Sequence, residues 1–141
     1  MNKKDKVLFI DTSKAKQLDV FLISEKKVIT RQHLKGDYKV SEYLLKMIVQ
    51  TVKSGKVKLA GLKGIVTVTG PGAFTSLRIA VAVANTLAFA LQIPVASLIK
   101  KNDYTEDQMI KLAWQKIKVA KIGNYIKPYY DKQPNITKSK K

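Results

Sequence analysis

The feature that most constrains the fold is the stretch Ile65–Ile99, whose pattern predicts a strand, a glycine-rich turn, a helix and a second strand. Residues 65–69 are all β-branched, which is typical of a buried strand. Gly70-Pro71-Gly72 interrupts that pattern, and a helix is predicted over Thr75–Leu91, with Thr75 or Ser76 as its N-cap. Because Ile79–Ile99 carries no charged residue, this helix needs cover on more than one side.

The residues before this stretch predict three strands and a helix. Apolar or alternating runs predict strands at Val7–Ile10, Leu18–Ser24 and Val28–Leu34. Helical spacing of apolar residues predicts a helix over Val40–Lys53. With a last strand at Ile93–Ser97, the order is β-β-β-α-β-α-β, which predicts an α/β lobe built on a mixed sheet with helices packed against it.

The composition changes after Ile99. Residues 1–99 are predicted to form the main lobe, and residues 100–104 a linker. An amphipathic helix is expected within residues 105–123, beginning at a capping box of Thr105 and Gln108 and ending with Gly123 at C′. Residues 124–141 are predicted to be an extended basic tail.

Composition removes several classes of function. The 141 residues include no cysteine and one histidine, so thiol catalysis, zinc-cysteine sites and multi-histidine metal sites are excluded. We expect neither a catalytic residue nor a metal. The net charge of +17 suits a polyanionic or acidic partner. It suits a solvated surface equally well, because every basic residue except Arg31 and Arg78 is lysine.

Membrane insertion and secretion are not expected. Asp11 interrupts the first apolar run before it reaches the length of a signal peptide core. Asn85, Gln92 and Pro94 interrupt the uncharged stretch, where a membrane span would tolerate them poorly. A cytoplasmic location is therefore expected.

The predicted helix Thr75–Leu91 carries a stripe of small side chains, Ala80, Ala84 and Ala88, spaced four residues apart. Such a stripe permits close approach of a second helix. The cover is either the helix Val40–Lys53 of the same chain or a partner protein, and we put the partner slightly ahead because exposed apolar faces usually mark interfaces.

Two loops are candidates for binding an anion. Asp11-Thr12-Ser13 closes the first strand, and α/β folds place ligand chemistry at the carboxyl ends of strands. Gly70-Pro71-Gly72 precedes a helix N-terminus, where backbone amides attract anions. The alternatives are an Asx or Ser/Thr turn in the first loop and a tight β–α turn in the second, and turn geometry is favoured for the second.

The tyrosines near the end of the sequence admit two interpretations, whereas Trp114 and His33 each have one. Tyr125, Tyr129 and Tyr130 with Lys127 and Lys132 suit stacking and pairing with RNA, or the tyrosines pack back on the lobe. Trp114 is expected to anchor the last helix. His33 has no assembled acid–base companion and is expected at the surface or at a strand edge.

The two loops together resemble a known family. Ile10-Asp11-Thr12-Ser13 and the longer Gly70-Pro71-Gly72-Ala73-Phe74-Thr75-Ser76-Leu77-Arg78-Ile79 are similar to motifs of the TsaB (YeaZ) proteins. An alanine-rich helix and Ile93-Pro94 follow, as in that family. The resemblance covers about residues 7–99 and, loosely, 110–137. Ala73, Ser76 and Ala80 stand where the family pattern has Ser, Gly and Gly.

The resemblance implies an actin-like (ASKHA, RNase H-like) lobe and a role in making threonylcarbamoyladenosine next to the tRNA anticodon. It implies a non-catalytic scaffold that binds and activates a TsaD-like protein, with a TsaE-like ATPase as a further partner and tRNA contacted indirectly or weakly. A homodimer through the same two helices would compete. The partner surface that it implies comprises Tyr43, Leu44, Met47, Ile48, Leu77, Ala80, Val81, Ala84 and Ala88.

Members of that family usually carry a second lobe after the Ile-Pro strand, and most of that lobe has no counterpart here. Asp11, Thr12 and Ser13 with Gly70, Pro71 and Gly72 would then be vestigial nucleotide or anion loops. No cofactor is expected on this chain alone, and ATP only in the assembled complex. The alternatives are a small basic RNA- or tRNA-binding module of the same fold and a degenerate nucleotide-binding protein.

Overall fold

The predicted strands form one mixed sheet in the described part of the chain. The computed structural model describes residues 5–37, 39–100 and 104–129. A single turn of 3₁₀ helix at Leu59–Gly61 leads into the fourth strand. The elements are β1 (Val7–Asp11), β2 (Gln17–Ile23), β3 (Val28–Lys35), α1 (Val40–Ser54), β4 (Gly64–Gly70), α2 (Phe74–Leu91), β5 (Val95–Ile99) and α3 (Glu106–Val119).

The strand order across the sheet is β3-β2-β1-β4-β5. β1 pairs antiparallel with β2 and parallel with β4, and β4 pairs parallel with β5. β1 and β4 are buried along their whole length, as expected for parallel strands with both faces covered. β3 lies at the edge and alternates half-buried with exposed residues. The predicted mixed α/β sheet is confirmed.

Helices cover both faces of the sheet. Leu8 and Ile10 of β1 lie in the core cluster that includes α1 and α2. Val7 and Phe9 lie in the cluster that includes α3, where Trp114 is 3% exposed and anchors the helix as predicted. The alternation along β1 thus separates a two-helix layer from a one-helix layer.

Helix ends follow the sequence in one case and depart from it in two. The capping box is confirmed: Thr105 Oγ1 accepts from the Gln108 N–H, and Gln108 Oε1 accepts from the Thr105 N–H. The predicted N-cap of α2 at Thr75 or Ser76 is wrong, because the helix begins at Phe74 and the Ala73 carbonyl already accepts from the Leu77 N–H.

The prediction of Gly123 as C′ of α3 is also wrong. α3 ends at Val119 with Ala120 as C-cap, and Gly123 lies beyond it in a turn with φ of +96°. Of the predicted linker, residues 101–103 lie outside the described residues, as do residues 130–141 of the predicted tail. The division into lobe, linker, helix and tail stays a prediction.

The small-residue stripe of α2 faces inward. Ala80, Ala84 and Ala88 are at most 1% exposed and belong to the same core cluster as α1 and the sheet. With only a methyl group at each position, α2 lies close to the sheet and to α1. The opposite side of the helix, including Ala82, is exposed.

We expect Ala84→Trp to lower the free energy of unfolding by more than about 3 kcal/mol or to prevent folding, because no space exists for an indole at a fully buried methyl. Ala82→Trp is the matched control on the exposed side of the same helix and should change stability by less than about 1 kcal/mol. Urea denaturation followed by circular dichroism measures both. Equal stability of the two variants would contradict the inward orientation of the stripe.

Candidate partner surface and loop site

The two predicted loops meet at the carboxyl ends of β1 and β4. The Ala73 N–H donates to the Ser13 carbonyl at 2.9 Å, and Thr12 Oγ1 donates to the Ser76 carbonyl at 3.1 Å. A Cβ at Gly72 would overlap the Ser13 carbonyl oxygen, and φ of Gly72 is +154°. Glycine is therefore needed here for a close backbone approach and for its own dihedral angles.

The Asp11 carboxylate is engaged inside the chain. Oδ1 accepts from both the Ser13 N–H, at 2.9 Å, and the Ser13 hydroxyl, at 2.6 Å, which is an Asx turn. Oδ2 lies 3.2 Å from Lys100 Nζ, and the Lys100 side chain is 19% exposed. Both oxygens thus have partners, one of them a cation. Sequence reasoning missed Lys100, although it follows β5 at the same edge of the sheet as Asp11.

These contacts show that both loops are turns and that hydrogen bonds join one loop to the other. Anion or nucleotide binding by them stays a prediction. Among the described residues, no group of three His, Asp or Glu side chains is arranged to hold a metal ion. His33 lies on the edge strand β3, with Nδ1 2.6 Å from Asp19 Oδ1.

The chain after α3 returns to the lobe and lies beside α2. Asn85 Nδ2 donates to the Ile126 carbonyl at 2.9 Å, and Asn85 Oδ1 accepts from the Ile126 N–H at 3.0 Å. The Tyr129 N–H donates to the Thr69 carbonyl at 2.9 Å. The Asn85 side chain therefore pairs with both the N–H and the carbonyl of Ile126, as the backbone of an adjacent strand does. The sequence feature that indicates it is an amide side chain in the uncharged stretch Ile79–Ile99.

The residues predicted to contact a partner lie mostly in the core. Tyr43 is half-buried, and the other eight are at most 6% exposed. They are buried in this lobe because the apolar stripe of each helix packs inward, and contact of these residues with a partner stays a prediction. The eight are Leu44, Met47, Ile48, Leu77, Ala80, Val81, Ala84 and Ala88.

The opposite sides of the same two helices expose other apolar residues, which sequence reasoning did not select. Leu45 and Val49 of α1 are 51% and 44% exposed, and Phe89 of α2 is 64% exposed. Ala82 and Ala90 of α2 are also exposed. We call these five residues the outer helix face. Their signal was the apolar character of α2 on more than one side.

α2 is long and apolar enough to cross a membrane by length and composition, with 28% of its residues buried inside the fold. Three of the five buried ones, Ala80, Ala84 and Ala88, belong to the core cluster over the sheet, as expected of a core helix. The exposed apolar surface of α2 thus lies on one side of a helix whose other side is packed in the core.

We expect Gly72→Ala to lower the free energy of unfolding by at least about 2 kcal/mol more than Gly123→Ala does. Both glycines have positive φ, but an added Cβ meets the Ser13 backbone only at position 72 and meets nothing within 4 Å at position 123. Urea denaturation of both variants checks this, and equal losses would show that the loops do not rest on each other.

We expect Asn85→Ala to lower the free energy of unfolding by about 1–3 kcal/mol, because the Ile126 N–H and carbonyl both lose their partner. Trypsin should then cleave faster after the exposed Lys121, since Pro128 prevents cleavage after Lys127. Thr86→Ala is the control, since Thr86 is exposed and its hydroxyl bonds only within α2. Equal cleavage rates in the two variants would contradict the role given to Asn85.

Comparison with known proteins gives consistent matches. A family model described as TsaD, tRNA N6-adenosine threonylcarbamoyltransferase, matches residues 37–100. The tRNA threonylcarbamoyladenosine biosynthesis protein TsaB of Buchnera aphidicola subsp. Schizaphis graminum is 30% identical over 122 residues, which are 84% of this chain and 53% of that protein. The chain therefore spans about half the length of the curated relative that it matches.

Solved structures match as well. YeaZ from Pseudomonas aeruginosa is 33% identical with a TM-score of 0.62, over 67% of this chain and 44% of that chain. RuvC from Thermus thermophilus, solved in complex with a Holliday junction substrate, has a TM-score of 0.51 at 9% identity, over 83% of this chain and 98% of that one. This second likeness is one of fold alone, and it supports a single α/β lobe of the RNase H-like class. Sequence and structure thus agree, and the chain is similar to the TsaB (YeaZ) proteins over about half of their length.

Proposed function

We propose that this chain is a non-catalytic subunit that binds a TsaD-like protein and activates it in the threonylcarbamoyladenosine modification of tRNA, in the cytoplasm. The Buchnera relative carries the name of this pathway. The observation that carries the proposal is the outer helix face, because exposed apolar residues on two neighbouring helices are typical of an interface.

The chemistry of the outer helix face suits a partner made of helices. Leu45 and Val49 lie one turn apart on α1, and Phe89 projects from the last turn of α2, on the same side of the sheet. α2 carries no charge from Ile79 onward. Apolar ridges on a pair of helices pack into the grooves of another helix pair, so a bundle of four helices would cover this face.

The match to the TsaD family model supports the choice of partner. That match spans residues 37–100, which include α1 and α2. A TsaD-like protein would therefore present a helix pair of similar shape, and two similar faces can pair about a twofold axis. The same argument makes a homodimer the competing assembly. A TsaE-like ATPase and ATP would join only the assembled complex.

The proposal of a non-catalytic role is supported by the loop site. Asp11, the carboxylate at the carboxyl end of β1, is engaged by Ser13 and Lys100. An acid–base or nucleophilic role would require one of those partners to leave.

We expect the double variant Leu45→Glu, Phe89→Glu to bind a TsaD-like protein of the same genome about 30-fold or more weakly, because two carboxylates would be buried in an apolar contact. Isothermal titration calorimetry and size exclusion at micromolar concentration measure this. The variant itself should stay folded, since both residues are at least half exposed.

The control is Val119→Glu, which places one such carboxylate at a residue 77% exposed on α3, across the sheet. It should bind like the parent chain. Separate elution of the two parent proteins, or an unchanged affinity of the double variant, would overturn the proposal. Sedimentation of the chain alone reports whether the same substitutions dissolve a homodimer.

A further inference from the structure

The segment after α3 presents an ordered row of aromatic and basic side chains. Asn85 and Thr69 fix the backbone of residues 124–129 at Ile126 and Tyr129. Ile126 and Pro128 are half-buried, whereas Tyr125, Lys127 and Tyr129 are exposed. This alternation is typical of an extended chain, in which every second side chain points outward. We call Lys121, Tyr125, Lys127 and Tyr129 the tail ridge.

The two rings of the tail ridge remain accessible despite this anchoring. Tyr125 is 47% exposed and Tyr129 is 38% exposed. A Cβ at Gly70 would lie 3.1–3.4 Å from Tyr129 atoms, so Tyr129 rests against backbone without a side chain in between. One side of Tyr129 thus lies against the backbone at Gly70, and the rest of the ring is accessible to solvent. Pre-ordered rings lose little conformational entropy when a ligand stacks on them.

Positive charge dominates the described sequence that contains the tail ridge. Residues 116–129 include four lysines and no acidic residue. Lys118 lies 3.9 Å from Glu25. Within the described residues, no ion pair is found for the exposed Lys116, Lys121 or Lys127. These three lysines are therefore available to pair with the phosphates of a polyanion.

We propose that the tail ridge binds single-stranded RNA, with bases stacked on Tyr125 and Tyr129 and phosphates paired with Lys121 and Lys127. Aromatic rings alternating with cations are the features by which proteins hold single strands without reading their sequence. Four residues of extended chain span about 13 Å, so the rings engage two separate bases rather than the two faces of one. A duplex offers no free base faces to these rings.

This inference deepens the proposed function, since a tRNA loop would be the strand that is held. It stands on different residues, however, and is measured on the chain alone. The outer helix face is apolar and uncharged, whereas the tail ridge is aromatic and basic. RNA binding and partner binding therefore fail independently.

The test is fluorescence anisotropy with the full chain and a fluorescein-labelled 12-nucleotide oligouridine in 50 mM salt. We expect saturable binding that weakens as salt rises, because phosphate contacts release counterions. The double variant Tyr125→Ala, Tyr129→Ala should bind about tenfold or more weakly. Tyr125→Phe, Tyr129→Phe keeps both rings and should bind within about twofold of the parent chain.

The charge contribution is tested separately. Lys121→Gln, Lys127→Gln should lower the slope of log affinity against log salt by about 1.4, which is the value for two phosphates of a single strand. The control Lys53→Gln, Lys58→Gln removes the same charge from exposed positions on and after α1. It should leave the slope unchanged, and an equal effect of the two pairs would overturn the assignment to the tail ridge.

Three further results would overturn the inference: no saturable binding at 50 mM salt, equal binding by the Tyr125→Ala, Tyr129→Ala variant, or equal affinity for a duplex RNA of the same length. If that double variant does not fold, Tyr125→Ala alone replaces it and should bind about fivefold more weakly. Loss of RNA binding with an intact partner complex rejects only this inference. Loss of the complex with RNA binding intact rejects only the proposed function.

Discussion

The close packing of α2 on the sheet is the constraint on which the rest of the lobe depends. Three alanines at successive turns are almost completely buried, so at these positions α2 contributes only methyl groups to the core that it shares with the sheet and α1. A helix that contacts the core through such small side chains buries only a narrow stripe of its own surface. Because α2 is apolar on its other sides too, that narrow stripe leaves Phe89 and Ala82 exposed. The outer helix face thus follows directly from the small side chains underneath.

The two loops at the N-terminal end of α2 and the segment that contains Ile126 both hold α2 in this position. At the N-terminal end of α2, Gly72 rests on Ser13, and the Ala73 N–H donates to the same carbonyl. In the middle of α2, Asn85 holds Ile126 by two hydrogen bonds. A strand-like neighbour on one flank and a packed turn at one end fix the helix without any charge. The turn that was a candidate anion loop therefore has a complete structural role.

The sequence predicts the fold well and the orientation of α2 poorly, for a physical reason. Periodicity places the strands and α-helices of the described residues, because β-branched runs such as residues 65–69 and helical spacing such as Val40–Lys53 are local signals. The same periodicity marks Ala84 as special but not which side it faces, since an apolar helix has no polar face to orient it. Lys100 and Asp11 are 89 residues apart, and only the parallel strands bring them together.

The engagement of Asp11 also explains why the functional surfaces proposed here lie outside the usual edge of the sheet. With Lys100 against one carboxylate oxygen and Ser13 on the other, the Asp11 carboxylate is already paired inside the chain. What remains available is a neutral apolar face on α1 and α2 and a basic aromatic ridge beyond α3. The first suits a protein and the second a polyanion, so a single small lobe can contact both at once without competition between them.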